Sequence, residues 1–172
     1  MKEYFIAFGG NLGQIEQNFI KAASLIEKLI GKIILKSSLY KSKALTLDGT
    51  QKQNEYLNCV ISLETNKNEK EVLKILNSIE TKLGRVRAEK WDSRVIDLDI
   101  VAVGDLVIET KELSIPHKEM HKRTFVLKPL AEIAPDWKHP KFIKTASELM
   151  LESNLASEMP CEILKSFPDY ES

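Results

Sequence analysis

The apolar positions of the chain change period several times, and each change predicts an element. Residues 4–8 form a short apolar run that meets Gly9-Gly10, which predicts a strand and then a turn with unusual backbone angles. Beyond Asn11-Leu12-Gly13, the residues Ile15, Phe19, Ala22, Ala23, Ile26 and Leu29 recur at spacings of three and four. They share one helical face, and Gly31 supplies the stop. Residues 32–40, with Ile33, Ile34 and Leu35, suit a second strand. Residues 41–54 are polar, with a turn signal at Asp48-Gly49-Thr50, and predict a loop of a length that is often functional.

Strict alternation returns at 56–64. Leu57, Cys59, Ile61 and Leu63 form an apolar face directed to the core, and Tyr56, Asn58, Val60 and Ser62 lie opposite. Residues 66–83 read as a second long helix through Val72, Leu73, Leu76, Ile79, Glu80 and Leu83, ended by Gly84. A basic loop follows, then a strand at 95–103 and a small hairpin through Gly104-Asp105 that returns over 106–108. Residues 123–133 and 145–153 suit helices, and the last twenty residues look irregular. The order βαββαβ predicts an α+β sandwich of the ferredoxin-like kind, mostly antiparallel, with helices packed on the sheet. With no repeat or linker, residues 1–172 read as one domain, its core over about 3–140 and a less regular tail over 141–172.

Composition narrows the partners. The 172 residues carry 25 Lys plus Arg and 25 Asp plus Glu, so the excess positive charge of a general nucleic-acid or polybasic membrane binder is missing. At 43% hydrophobic and 29% charged residues, the chain has enough apolar surface to fold and is not of disordered type. Cys59 and Cys161 lie far apart and form no CxxC pair, which predicts a reducing compartment. The first apolar run is too short for a secretion signal, and no stretch approaches a membrane span. The expectation is a cytoplasmic monomer that engages neither nucleic acid nor membrane.

The most informative residues are Asp97-Leu98-Asp99 inside an otherwise apolar strand. Positions i and i+2 share a face, so both carboxylates project together, and their mutual repulsion is relieved by a divalent cation such as Mg²⁺. The alternative is the solvated face of an edge strand. Just upstream, Arg85, Arg87, Lys90 and Arg94 surround Trp91. Such a loop is either plainly solvated or a phosphate clamp, and the adjacent carboxylates favour the clamp. His117, after Ile115-Pro116, and Arg123, before Thr124-Phe125, could extend it. Tyr56 and Phe125 are either core aromatics or the walls of a slot for a flat heterocycle. No Walker A, GxSxG or HExxH pattern is present, and no nucleophilic Ser or Cys is indicated. Other metal-dependent nucleotide chemistry, and a non-catalytic nucleotide- or RNA-binding module, remain competing readings of these residues.

Six separated pieces resemble, in order, the 6-hydroxymethyl-7,8-dihydropterin pyrophosphokinase family of folate biosynthesis. They are Gly9-Gly10-Asn11-Leu12, Tyr56-Leu57-Asn58, Gly84-Arg85-Val86-Arg87, Lys90-Trp91-Asp92-Ser93-Arg94-Val95-Ile96-Asp97-Leu98-Asp99-Ile100-Val101, Ile115-Pro116-His117 and Arg123-Thr124-Phe125. The resemblance, which runs from Tyr4 to Pro140, implies transfer of the terminal diphosphate of ATP to the pterin's hydroxymethyl oxygen, with release of AMP. It implies two Mg²⁺ ions at Asp97 and Asp99, with Arg85 and Arg94 completing the catalytic group. ATP phosphate contacts are implied for Arg85, Arg87, Arg94, His117 and Arg123, and the adenine near Ile100, Leu113 and Ser114. The pterin would stack between Tyr56 and Phe125, read by Asn58 and by backbone near Ser42 and Leu45. Glu80 matches a family position near the active centre, and Asn11 one that supports the first turn. The chain departs from the family's pattern at Gly10, Lys43, Asp92 and Glu112.

Overall fold

The computed structural model describes residues 1–43, 55–85, 95–156 and 161–169. Its elements are β1 (Lys2–Gly10), α1 (Ile15–Leu29), β2 (Lys32–Lys36), β3 (Leu39–Ser42), β4 (Tyr56–Thr65), α2 (Glu69–Lys82) and β5 (Asp97–Val103). They continue with β6 (Ile108–Glu109), β7 (Ser114–Ile115), a 3-10 turn (Met120–Lys122), α3 (Thr124–Ile133), α4 (Ala146–Ala156) and β8 (Cys161–Lys165). The main sheet is antiparallel in the order β5-β1-β4-β3-β8, with β2 also paired to β4. This is the expected ferredoxin-like α+β fold, with β1 and β4 central.

Both faces of the sheet are covered. On one, Ile6, Phe8, Ile61, Leu63 and Ile100 pack with Phe19, Ile26, Leu76 and Ile79 of α1 and α2. On the other, Phe5, Val60 and Val101 pack with Val126, Leu127, Leu130 and Leu149 of α3 and α4. The continuous apolar run in β1 follows from this, because a strand buried on both sides has no wet face to alternate towards. The face of β4 carrying Leu57, Cys59, Ile61 and Leu63 meets the first core as expected. The opposite face, read as the one that carries Tyr56 and Asn58, also holds a core at Val60. Among the described residues, no helix is long and apolar enough to cross a membrane.

Four local expectations are corrected. Gly9 and Gly10 do not turn: they extend β1, opposite Asn58 and Leu57, and the positive φ falls at Gly13 (73°). Partner strands outweigh glycine's poor strand propensity there. Residues 32–40 are two strands, broken where the buried Ser37 hydroxyl accepts the Val60 N–H at 3.0 Å and Ser38 turns its own N–H to Glu132 at 3.0 Å. The segment after Gly104 does not return along β5, and Ile108–Glu109 pairs instead with Ser114–Ile115. The outer edge of β5 is already engaged, since Leu98 N–H reaches Glu80 at 2.6 Å and Val101 C=O accepts from His117 N–H at 2.8 Å. The helix expected over 145–153 forms as α4, but the last twenty residues are not wholly irregular: they include the edge strand β8, and Phe167 packs against Phe8 with ring centres 6.4 Å apart. Of the β8 residues only Cys161 is buried, so apolar periodicity could not reveal the strand.

Gly31 does more than stop α1. A Cβ there would lie 2.2 Å from the Glu64 carbonyl oxygen and 2.9 Å from Thr65 Cβ, so the α1–β2 turn sits directly on β4. Gly31→Ala is expected to cost about 1–3 kcal/mol through overpacking. Urea unfolding checks it: the midpoint should fall at constant slope.

Candidate active site

The site begins at the end of α2. Gly84 takes φ 96°, Gly84 N–H bonds Thr81 C=O at 3.1 Å, and Arg85 N–H bonds Glu80 C=O at 3.0 Å. This paired closure is the usual way a helix ends on a left-handed glycine. It folds Arg85 back over Glu80, whose buried carboxylate forms an ion pair with it. Arg85 Nη1 also lies 2.9 Å from Asp97 Oδ1, and Glu80 Oε1 accepts the Leu98 N–H at 2.6 Å. One carboxylate therefore caps the edge strand and holds the cation that holds Asp97. Burial pushes the Glu80 carboxyl up to about 7, against the pull of the Leu98 N–H and Arg85. Burial works against the charge of Arg85, but Asp97 and Glu80 outweigh it and keep the guanidinium more firmly protonated than usual.

Asp97 and Asp99 share a face of β5, the face covered further along by α3 and α4. Their partners on β1 are Gly9 and Ala7, two of the smallest residues available. The row continues from Gly9 to Asn58 and from Asn58 to Tyr40. Two strand spacings put Asn58 about 10 Å from Asp97, across a floor that Gly9 leaves without a side chain. Asn58 is buried and donates to Ser42 Oγ at 2.9 Å. Tyr56, two positions along the same face, is half-buried.

Burial and then the charge of Asp97 push the Asp99 carboxyl upward, while His117, Arg123 and Arg85 pull it down. Burial lowers the His117 imidazole, with Asp99 opposing. His117 Nδ1 accepts the Glu119 N–H at 3.2 Å, so the neutral ring carries its proton on Nε2, free to donate elsewhere. Arg123 stands at the N-terminus of α3 with its guanidinium 5.9 Å from the Phe125 ring centre. Phe125 is half-buried beside the second core.

The structure thus brings together Arg85, Asp97, Asp99, His117 and Arg123, with Ser42, Tyr56, Asn58 and Phe125 on the same side of the sheet. Ile100 points the other way, into the first core, and shows β5's outer edge only its backbone. Leu113 packs beside that core, its N–H bonded to Thr110 Oγ1 and its C=O to Thr110 N–H. Ser114 donates to Pro116 C=O at 3.2 Å. Leu45, Arg87 and Arg94 lie outside the described residues. The link from Glu80 through Arg85 to Asp97 was not legible from spacing. Its one signal is a glutamate set in an apolar helical stripe.

The donor set fits magnesium. Asp97 and Asp99 offer hard oxygen ligands whose mutual repulsion a divalent cation relieves, and no group of three or more His, Cys, Asp or Glu that could hold a metal occurs among the described residues. Two carboxylates leave most of an octahedral shell to water and phosphate oxygens, the habit of Mg²⁺ in nucleotide sites.

Paired carboxylates with Arg85, His117 and Arg123 beside them stand at one end of a ferredoxin-like sheet. The chain belongs to the 7,8-dihydro-6-hydroxymethylpterin-pyrophosphokinase family, whose pattern matches residues 5–135. It is 37% identical over 156 residues to the 2-amino-4-hydroxy-6-hydroxymethyldihydropteridine pyrophosphokinase of Synechocystis sp., covering 90% of this chain and 78% of that one. It is 36% identical over 168 residues to the enzyme of the same name from Haemophilus influenzae, covering 97% and 94%. Among solved structures, an HPPK-DHPS in complex with substrates matches with a TM-score of 0.70 at 15% identity over 90% of this chain. The Plasmodium falciparum HPPK-DHPS with pterin and p-hydroxybenzoate also gives 0.70, at 16% identity over 88%. The chain spans 44% and 41% of those two longer proteins, so they show its fold alone.

Glu80→Ala should cost about 3 kcal/mol of stability, since it leaves a half-buried guanidinium short of one partner and the Leu98 N–H without an acceptor. Glu80→Gln, which can still accept from Leu98, should cost less. Chemical denaturation of both variants tests the order.

Proposed function

We propose that this site transfers the diphosphate of ATP to the hydroxymethyl group of 6-hydroxymethyl-7,8-dihydropterin, giving AMP and the pterin diphosphate. Family membership supplies the reaction. The observation that carries the assignment of residues is the convergence of Asp97 and Asp99 with Arg85, His117 and Arg123 at one end of the sheet.

In the reaction, the pterin hydroxyl oxygen attacks the β-phosphorus, the bond from that phosphorus to the α-phosphate oxygen breaks, and the hydroxyl proton is lost. Asp97 and Asp99 would hold Mg²⁺, two ions by the family's pattern. Bound magnesium supplies charge neutralisation to the phosphate oxygens. Arg85 and Arg123, joined by Arg87 and Arg94 of the basic loop, spread cationic donors around the triphosphate, and His117 Nε2–H adds a neutral one. The backbone edge of β5 at Ile100, with Leu113 and Ser114 beside it, receives the adenine. Tyr56 and Phe125 stack the pterin, while Asn58 and backbone near Ser42 and Leu45 read its edge. Gly9, which carries no side chain, lies between Asn58 and Asp97 in the sheet. Positioning and preorganised charge carry most of the acceleration, as in other phosphoryl transfers. The protein is proposed to act as a monomer, without nucleic-acid or membrane partners, in the cytoplasm.

Incubation with ATP, Mg²⁺ and the reduced pterin should release AMP in step with the diphosphorylated pterin. Release of inorganic diphosphate instead would point to nucleotidyl transfer and sink the reading. Asp97→Ala or Asp99→Ala should abolish turnover, as should chelation of the divalent cation, with recovery on adding Mg²⁺. Arg85→Ala should lower kcat/KM by about 2–4 kcal/mol, the range for losing one preorganised donor.

A further inference from the structure

Helix α3 carries Arg123 and Phe125 at its start, yet its own ladder is interrupted there. Pro129 lies inside the helix without an N–H, so the carbonyl four residues earlier, that of Phe125, receives no donor from it. The helix is held from outside. Thr124 Oγ1 and Ser153 Oγ of α4 share a hydrogen bond of 2.7 Å. Lys128 Nζ donates to the Cys161 carbonyl at the head of β8 at 2.5 Å. Glu132, one turn further along the same face, accepts from Ser38 N–H at 3.0 Å, Ser38 Oγ at 2.8 Å and Tyr40 Oη at 2.9 Å. Lys128 and Glu132 therefore tie α3 to the β3–β8 side of the sheet. That side bears the opposite wall of the site, since Cys161 pairs with Ser42 and Ser42 with Tyr56.

We infer that Lys128 and Glu132 are positioning residues for the acceptor. They set the separation of α3 from β3 and β4, and so the slot between Phe125 and Tyr56, without touching a substrate. The inference rests on the reading of those two rings as the pterin's walls. A ring held on both faces is sensitive to slot width, because a gap of about 0.5–1 Å forfeits a quarter to a half of each contact. Arg123 reaches phosphate through a long side chain and can follow a small helix displacement. The effect of loosening α3 thus falls on the acceptor rather than on the nucleotide.

The test is steady-state kinetics of the full chain with each substrate varied in turn. Lys128→Met keeps the apolar stem and removes the donor. It should raise KM for the pterin about five- to twentyfold, leave KM for ATP and kcat within about twofold, and be largely rescued in Lys128→Arg. Glu132→Gln should move the pterin KM in the same direction by less, and it carries the test should Lys128→Met fail to fold. A folded Lys128→Met with an unchanged pterin KM, or with both KM values rising together, overturns the inference. Phe125→Ala separates the two layers of argument. If it raises the pterin KM and the Lys128 and Glu132 variants do not, positioning alone is wrong. If it has no effect, the stacking reading fails and the inference fails with it.

Discussion

The site depends on one buried carboxylate. Glu80 sits in the apolar stripe of α2, where an acid is costly, and two partners compensate it, the Leu98 N–H and the Arg85 guanidinium, while Asp97, held by the same guanidinium, works against its charge. The N–H of an edge strand would otherwise face water or another chain. Here it is the donor that locks the second helix to the strand bearing both aspartates. The alternation of acid, base and acid lets a partly buried Arg85 remain charged beside the phosphates it is proposed to meet.

The sheet is covered on both faces but not along its whole length. At one end, α3 and α4 seal Phe5, Val60 and Val101. At the other, the same face carries Asp97, Gly9 and Asn58 in a row, where a glycine between two polar side chains makes a floor rather than a core. Stability and chemistry are thus divided along the strands. The same β1 that is apolar over residues 4–8 carries no side chain at Gly9 and Gly10, level with Asp97 and Asn58. The helices that close the second face also present Arg123 and Phe125 to its open end, so the packing layer and the site share α3.

The motif residues that matched a known family are the ones whose chemistry is local. Asp97 and Asp99 share a face because a strand has period two, and Arg85 follows Gly84 because a helix ends on a left-handed glycine. The central strands and the first two helices were legible for the same reason: their apolar periods are long and unbroken. Gly9-Gly10 misled because glycine's turn preference is weak against two flanking strands. Residues 32–40 misled because the break at Ser37 comes from a side-chain bond to Val60, which is remote in sequence.

Period, charge and short motifs, all properties of neighbouring residues, were enough to determine the ferredoxin-like order, the paired acids and the cationic segment beside them. Tertiary structure alone decided that Glu80 joins Leu98 to Arg85, that Ala7 and Gly9 face the two aspartates, and that the tail supplies an edge strand beside β3. Each of these joins positions far apart along the chain, and pairing at such distances is fixed by which surfaces pack and which buried polar groups must be satisfied. A one-dimensional pattern does not carry that information.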